Sequence, residues 1–207
     1  MHISEGIVSL PILAGCGVAA AAGTAIGLKH LDQEHIIETA LLSSAFFVAS
    51  LIHIPIGPGS VHLVLNGLIG LLLGWASVPA IATALFLQAL LFGYGGLTVL
   101  GVNIVVMALP AVAVSYLFGP LVRGQGRWRM IGSFAAGATA ILLSTLLMAL
   151  ALLGTDQHFL ITARVLLLSQ LPLMVIEGVI TLFVISFLAR VQPELLHIST
   201  SPATDHA

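Results

Sequence analysis

Charged side chains are scarce in this sequence: Asp, Glu, Lys and Arg make up 7% of its 207 residues. A soluble domain carries about 25%. So few charges cannot coat a water-facing surface, which excludes an ordinary soluble fold. A formal net charge of −2 removes the basic excess that nucleic acid would require. Cys16 is the single cysteine, so no internal disulfide can form, and its apolar surroundings predict a buried thiol. No GxxxxGK[ST] phosphate loop occurs, so any ATP hydrolysis must come from another chain. The opening MHISEG has no Lys or Arg before Lys29, unlike the basic start of a secretory signal. Met1 is therefore expected to remain the amino terminus, and the bulky His2 should discourage its removal.

Apolar residues are what the chain has in abundance, at 59%. A bilayer core of about 30 Å needs about 20 apolar residues per helical crossing. The apolar runs are continuous, whereas spanning strands alternate polar and apolar positions. They predict an all-α polytopic membrane helix bundle with about seven spans, near 7–28, 36–54, 61–75, 78–92, 97–118, 130–153 and 165–189. Residues 1–191 read as one membrane-embedded domain and 192–207 as a short, polar, disordered tail on the cytoplasmic side. With seven spans, Lys29, Arg123, Arg127, Arg129 and Arg190 share one side and Arg164 takes the other. The positive-inside rule makes the majority side cytoplasmic, placing the N-terminus outside and the C-terminus inside. Loop 57–60 then falls on the same outer face as Met1.

Small residues recur every fourth position in two spans: Gly15, Ala19, Gly23 and Gly27, and Gly132, Ala136, Ala140 and Ser144. Such stripes let helix backbones meet closely in lipid. Ala45 and Ala49 form a shorter pair in the second span.

The chemistry concentrates at Met1-His2. The terminal amine, the His2 amide nitrogen and imidazole Nδ1 can chelate one ion in adjacent five- and six-membered rings. A fourth nitrogen would complete a planar set, a geometry favoured by Ni(II) and Cu(II). His62, after the Pro/Gly-rich segment 55–60, is the candidate on the same face. Glu177, within the last span, must be neutral, hydrogen-bonded or facing a wet interior, and reads first as a link between helices. Asn103 reads as a loop-backbone partner and His53 as an interfacial residue. His30, His35, His197 and His206 fall on the inner side and His158 on the outer, none with a paired ligand at convincing spacing. Two other functions fit parts of the pattern. Ser60 with His62 could form a hydrolase pair, although no orienting acid is nearby. The chain could also act alone as a metal channel or carrier.

An ordered set of segments resembles the metal-binding membrane subunits of energy-coupling-factor importers for cobalt and nickel, the CbiM/NikM family. The segments are Met1-His2-Ile3 and Glu5-Gly6, then 47–55 leading into Gly59-Ser60-Val61-His62. They continue through 88–92, Gly95-Gly96-Leu97-Thr98 and 100–103, and end at 176–181. The resemblance covers nearly the whole chain. It implies seven helices with the N-terminal segment inserted from outside, and a transporter subunit that is not itself an enzyme. It implies metal ligation by Met1, His2 and His62, with Co²⁺ or Ni²⁺ as cargo and no permanent cofactor. Ser60, Asn103 and Glu177 become candidates for supporting the site or the metal pathway, and Ala45 and Ala49 for a partner-docking face. The implied partners are a CbiQ-type coupling subunit, a CbiO-type cytoplasmic ATPase and a small CbiN-type accessory subunit. The stretch 62–67 is more similar to cobalt members than to nickel ones. The chain departs from the family pattern at Tyr94, where many members have Asp, and at Val106 and Gln170, where polar or His residues occur.

Overall fold

The computed structural model describes residues 3–56 and 59–196; for 53–56, 59–61 and 157 it describes the backbone alone. Its helices are α1 (Leu10–Lys29), α2 (Ile36–Ala49), α3 (Asn66–Leu73), α4 (Ser77–Phe92), α5 (Leu100–Arg123), α6 (Arg127–Thr155), α7 (Leu160–Ser169) and α8 (Leu171–Val191). Between α2 and α3 lies a small antiparallel hairpin, β1 (His53–Ile56) and β2 (Gly59–His62), with His53 opposite His62.

The all-α membrane bundle expected from the sequence is present, but its spans divide differently. Among the described residues, five helical stretches are long and apolar enough to cross a bilayer: Leu10–Lys29, Asn66–Phe92, Leu100–Arg123, Arg127–Thr155 and Leu160–Val191. The expected span 36–54 stops as a helix at Ala49, so α2 is only about 21 Å long at 1.5 Å per residue. Pro55 disfavours helical backbone at Ile54, and the chain turns into β1. The expected span 61–75 is instead β2 plus the eight-residue α3, about 12 Å long. Gly74, at φ +54°, ends α3, and a 3-10 turn over Gly74–Ala76 leads into α4. The last span breaks at Gln170, because Pro172 at the start of α8 has no N–H to continue the helix of α7. Segment Pro193–Leu196, expected to be disordered, forms a 3-10 turn whose Leu196 is buried. Residues 197–207 of that tail lie outside the described chain.

Large apolar side chains point outward all around the bundle. Leu10, Ile37, Ile161 and Phe183 are each at least 70% exposed, a surface suited to lipid rather than water. The chain is a multi-pass integral membrane protein. Inside, close backbone approach replaces bulk. Gly70 leaves no room for a Cβ against the Ala111 carbonyl, and a Cβ on Gly67 would lie 2.9 Å from the Ala136 oxygen. Asn66 bonds Met107, Gly70 abuts Ala111 and Trp75 bonds Tyr116, a constant offset that makes α3 run parallel to α5. The α6 stripe is buried as expected. On α1 the packed face is rotated: Gly23 and Gly27 are buried, whereas Gly15 and Ala19 are exposed and Gly17 meets Gly101 instead. Cys16 is half-buried against the core rather than enclosed by it.

Candidate functional site

Two backbone arms converge on α5. The first is the segment preceding α1. Ser9, at the head of α1, donates its N–H to Thr155 Oγ1 at the end of α6, 3.1 Å away. From there, traced back toward the N-terminus, the chain turns into the bundle. Ile3 is 2% exposed, and its backbone is paired on both sides by one side chain. Its N–H donates to Asn103 Oδ1 at 2.9 Å, and Asn103 Nδ2 donates to its carbonyl at 3.2 Å. A buried amide that satisfies both polar groups of one residue fixes that residue's position and orientation. Glu5 adds an outer latch: Oε1 accepts from the Thr98 N–H and hydroxyl, each at 3.0 Å. Those bonds, the backbone one foremost, hold the exposed Glu5 carboxyl below the usual carboxylate range. Gly96, at φ +102°, has Glu5's side chain where a Cβ would sit.

The second arm runs from the hairpin through residues 63–65 into α3. His62 Nδ1 lies 3.0 Å from the Leu63 carbonyl oxygen. In the tautomer where Nδ1 donates to that oxygen, Nε2 carries the lone pair a metal would use. Val64 is 1% exposed, and the Val64 and Leu65 N–H groups both donate to the Glu177 carboxylate from α8. Leu65 holds a left-handed φ of +56°, rare for a residue with a side chain. Next, Asn66 Nδ2 donates to the Met107 carbonyl at 3.1 Å and to Ser144 Oγ at 2.9 Å.

Asn103 and Met107 are one helical turn apart on α5, about 6 Å of rise. One holds Ile3, and the other anchors the residue four beyond His62. Ile3, Val64 and Met107 belong to one buried apolar cluster. The structure thus brings Ile3, His62, Asn103 and Glu177 to one region. Met1 and His2 lie outside the described residues. Ser60 is placed by its backbone in β2, opposite Pro55. Ala45 and Ala49 do not form an exposed pair: Ala45 faces outward, but Ala49 is buried on the α2 face that packs against α4. Positions i and i+4 drift round a helix, and the inward face here is Thr39, Ser43, Phe46 and Ala49. His158 pairs with Asp156 at 2.7 Å, and its contacts hold the exposed Asp156 carboxyl below its usual range. At the far end of α3, a cavity of about 460 Å³ is lined by His30, Asp32, His35, Glu38 and Glu194 among others. Among the described residues no group of three or more His, Cys, Asp or Glu could hold a metal ion.

The family departures are structurally absorbed. The Tyr94 ring packs on Phe92 with centroids 5.5 Å apart, Val106 is buried in the core, and Gln170 sits at the α7–α8 break. Thr98 and Asn66 are the contributors that sequence reasoning did not single out for a role. Asn66 carried a signal, an amide inside an otherwise apolar run.

The sequence and fold match known proteins throughout. The family described as cobalt uptake substrate-specific transmembrane region, CbiM, matches residues 2–195. A protein of Haemophilus influenzae described as "Putative metal transport protein" is 42% identical over 95% of this chain and 97% of its own length. The cobalt transport protein CbiM of Sorangium cellulosum is 30% identical over 95% of this chain and 94% of its own length. A crystal structure of a transition metal transporter superposes with a TM-score of 0.70 at 25% identity, covering 92% of this chain and 93% of that one. With its fold and nearly its whole length accounted for in this way, the chain belongs to the CbiM family of transmembrane components for cobalt uptake.

Proposed function

We propose that this chain is the metal-capturing membrane subunit of an ATP-driven energy-coupling-factor importer for Co²⁺ or Ni²⁺. The ion is held by the Met1 amine, the His2 amide nitrogen and imidazole, and the His62 imidazole. The observation that carries this reading is the Asn103 clamp on Ile3. It fixes Ile3 inside the protein one helical turn from the anchor of the His62 arm, and two further residues of chain can reach about 7 Å, which supports a site shared by the first two residues and His62.

The donor chemistry suits the cargo. Amine, deprotonated amide and imidazole nitrogens favour late first-row divalent ions, and a planar set selects by geometry rather than by raw affinity. Capture takes place on the face that carries Met1, taken as the outside with the C-terminus inside. Release requires the plane to distort, by withdrawal of either arm. The acidic and imidazole-lined cavity at the far end of α3 faces the release side in this orientation. A CbiQ-type coupling subunit transmits the motion and a CbiO-type ATPase drives it, because the chain has no phosphate loop. A CbiN-type accessory subunit completes the set. The chain itself performs no covalent chemistry.

Uptake of radioactive Co²⁺ or Ni²⁺ in cells lacking their own importers tests this. Accumulation should require co-expressed coupling and ATPase subunits and should stop when the ATPase is inactivated. Full uptake by this chain alone in sealed liposomes would replace the importer reading with a channel or carrier.

A further inference from the structure

Glu177 is 1% exposed and lies in the interior of an apolar helix. A carboxylate in such a place ordinarily faces a cation. This one faces backbone: the Val64 N–H donates to Oε1, and the Leu65 N–H lies 3.1 Å from both oxygens. These N–H groups stand at the entrance to α3, where the helix leaves donors unsatisfied and its dipole favours negative charge. The residues gripped include Leu65 in its left-handed conformation, which persists only where surroundings impose it. His62 lies two residues upstream of the gripped pair. Glu177 also sits on a tightly packed helix. A Cβ on Gly137 of α6 would lie 2.5 Å from the Glu177 carbonyl, and one on Gly178 would lie 2.8 Å from the Phe134 ring. This close contact with α6 fixes where α8 presents the carboxylate.

We propose that Glu177 is the positioning residue of the capture site: its carboxylate grips the Val64 and Leu65 backbone and thereby sets His62, so that a shift of α8 against α3 loosens the metal. This rests on the capture site described above. Asn103 on α5 then holds the first arm, while the second is held by Glu177 on α8 in addition to the Asn66 anchor on α5 and α6. A coupling subunit that displaces α8 needs to touch no ligand in order to open the site. Glu177 contacts neither metal nor ligand directly; it acts through the backbone.

The test measures Ni²⁺ dissociation from purified protein with an untagged N-terminus, using chelator competition and the visible absorption of the Ni²⁺ site. Glu177→Gln keeps one acceptor oxygen but sets an amide NH₂ against a backbone N–H. Dissociation should accelerate by about tenfold or more, the range typical of residues that orient metal ligands, and the absorption band should shift. Glu177→Asp retains the charge and serves if the amide variant does not fold; it should show a smaller acceleration of the same kind. Val78→Ala, buried at the start of α4 against Gly23 of α1, controls for general destabilisation and should leave dissociation unchanged. An unchanged rate and spectrum in the folded Glu177 variant overturns the proposal, as does an equal acceleration in Val78→Ala. Undiminished affinity in His62→Ala would overturn the capture site itself, a separate outcome.

Discussion

Replacing Asn103 with Leu should undock the first arm while leaving the bundle intact. The side chain makes two hydrogen bonds to Ile3, at 2.9 and 3.2 Å, in a region where Ile3 is 2% exposed. Leu is similar in size and cannot bond, so the Ile3 N–H and carbonyl would each be stranded. A buried backbone group left unpaired costs about 1–3 kcal/mol. Part of that is recovered when the arm swings out to water, so the docked arm should lose about 2–4 kcal/mol. If undocked arms predominate, apparent metal affinity falls with the docked fraction, by at most about 30- to 1,000-fold. Hydrogen exchange at residues 3–9 reports docking, and competition titration with Ni²⁺ or Co²⁺ reports affinity. Faster exchange together with weaker binding is the expected pair. Faster exchange with affinity unchanged within about twofold would refute the reasoning, because the arm would then hold none of the ligands.

The Glu5 latch should make the same arm sensitive to acid. Its carboxyl is held below 4.5 by the Thr98 contacts, so the latch is fully made above that value and is lost as pH falls through the lowered one; exchange at residues 3–6 should rise there, and Glu5→Gln should flatten the profile. Gly70→Ala would drive a methyl into the Ala111 backbone, and overpacking costs about 1–3 kcal/mol or more where backbone must move; a lower thermal midpoint in detergent, or failure to accumulate, is expected. Ser144→Ala removes one of the two Asn66 Nδ2 bonds, a loss of about 1 kcal/mol that should lower thermal stability slightly and leave metal affinity unchanged.

Much of this architecture is legible in the residues. Long apolar runs with few charges specify helices in lipid, and the small-residue stripe of α6 marks a face that is indeed buried. What the runs do not encode is where a run stops being one helix. Apolar residues recur through 50–66, yet Pro55 disfavours helix before it, and a hairpin followed by a half-length helix results. Pro172 does the same between α7 and α8. The helical face of a short motif is equally hidden: Ala45 and Ala49 are four apart, but burial of Phe46 turns Ala49 inward and leaves Ala45 outside. At the site, His62 and Asn103 were visible as polar residues in apolar surroundings. That Asn103 bonds loop backbone is readable from the sequence; that the backbone is Ile3's, 100 residues away, is not, because backbone groups carry no sequence signal. Glu177 was visible as a costly carboxylate. Only the fold shows that its counterpart is a pair of N–H groups rather than a cation.

If the first two residues and His62 share one ion, metal retention depends on both. Metal content by plasma mass spectrometry, after equilibration with Ni²⁺ or Co²⁺ and desalting, is compared in three proteins: wild type, a version with two residues added before Met1, and His62→Ala. One ion per chain is expected in the wild type and almost none in either variant. A full complement of metal in the extended protein would exclude a shared site.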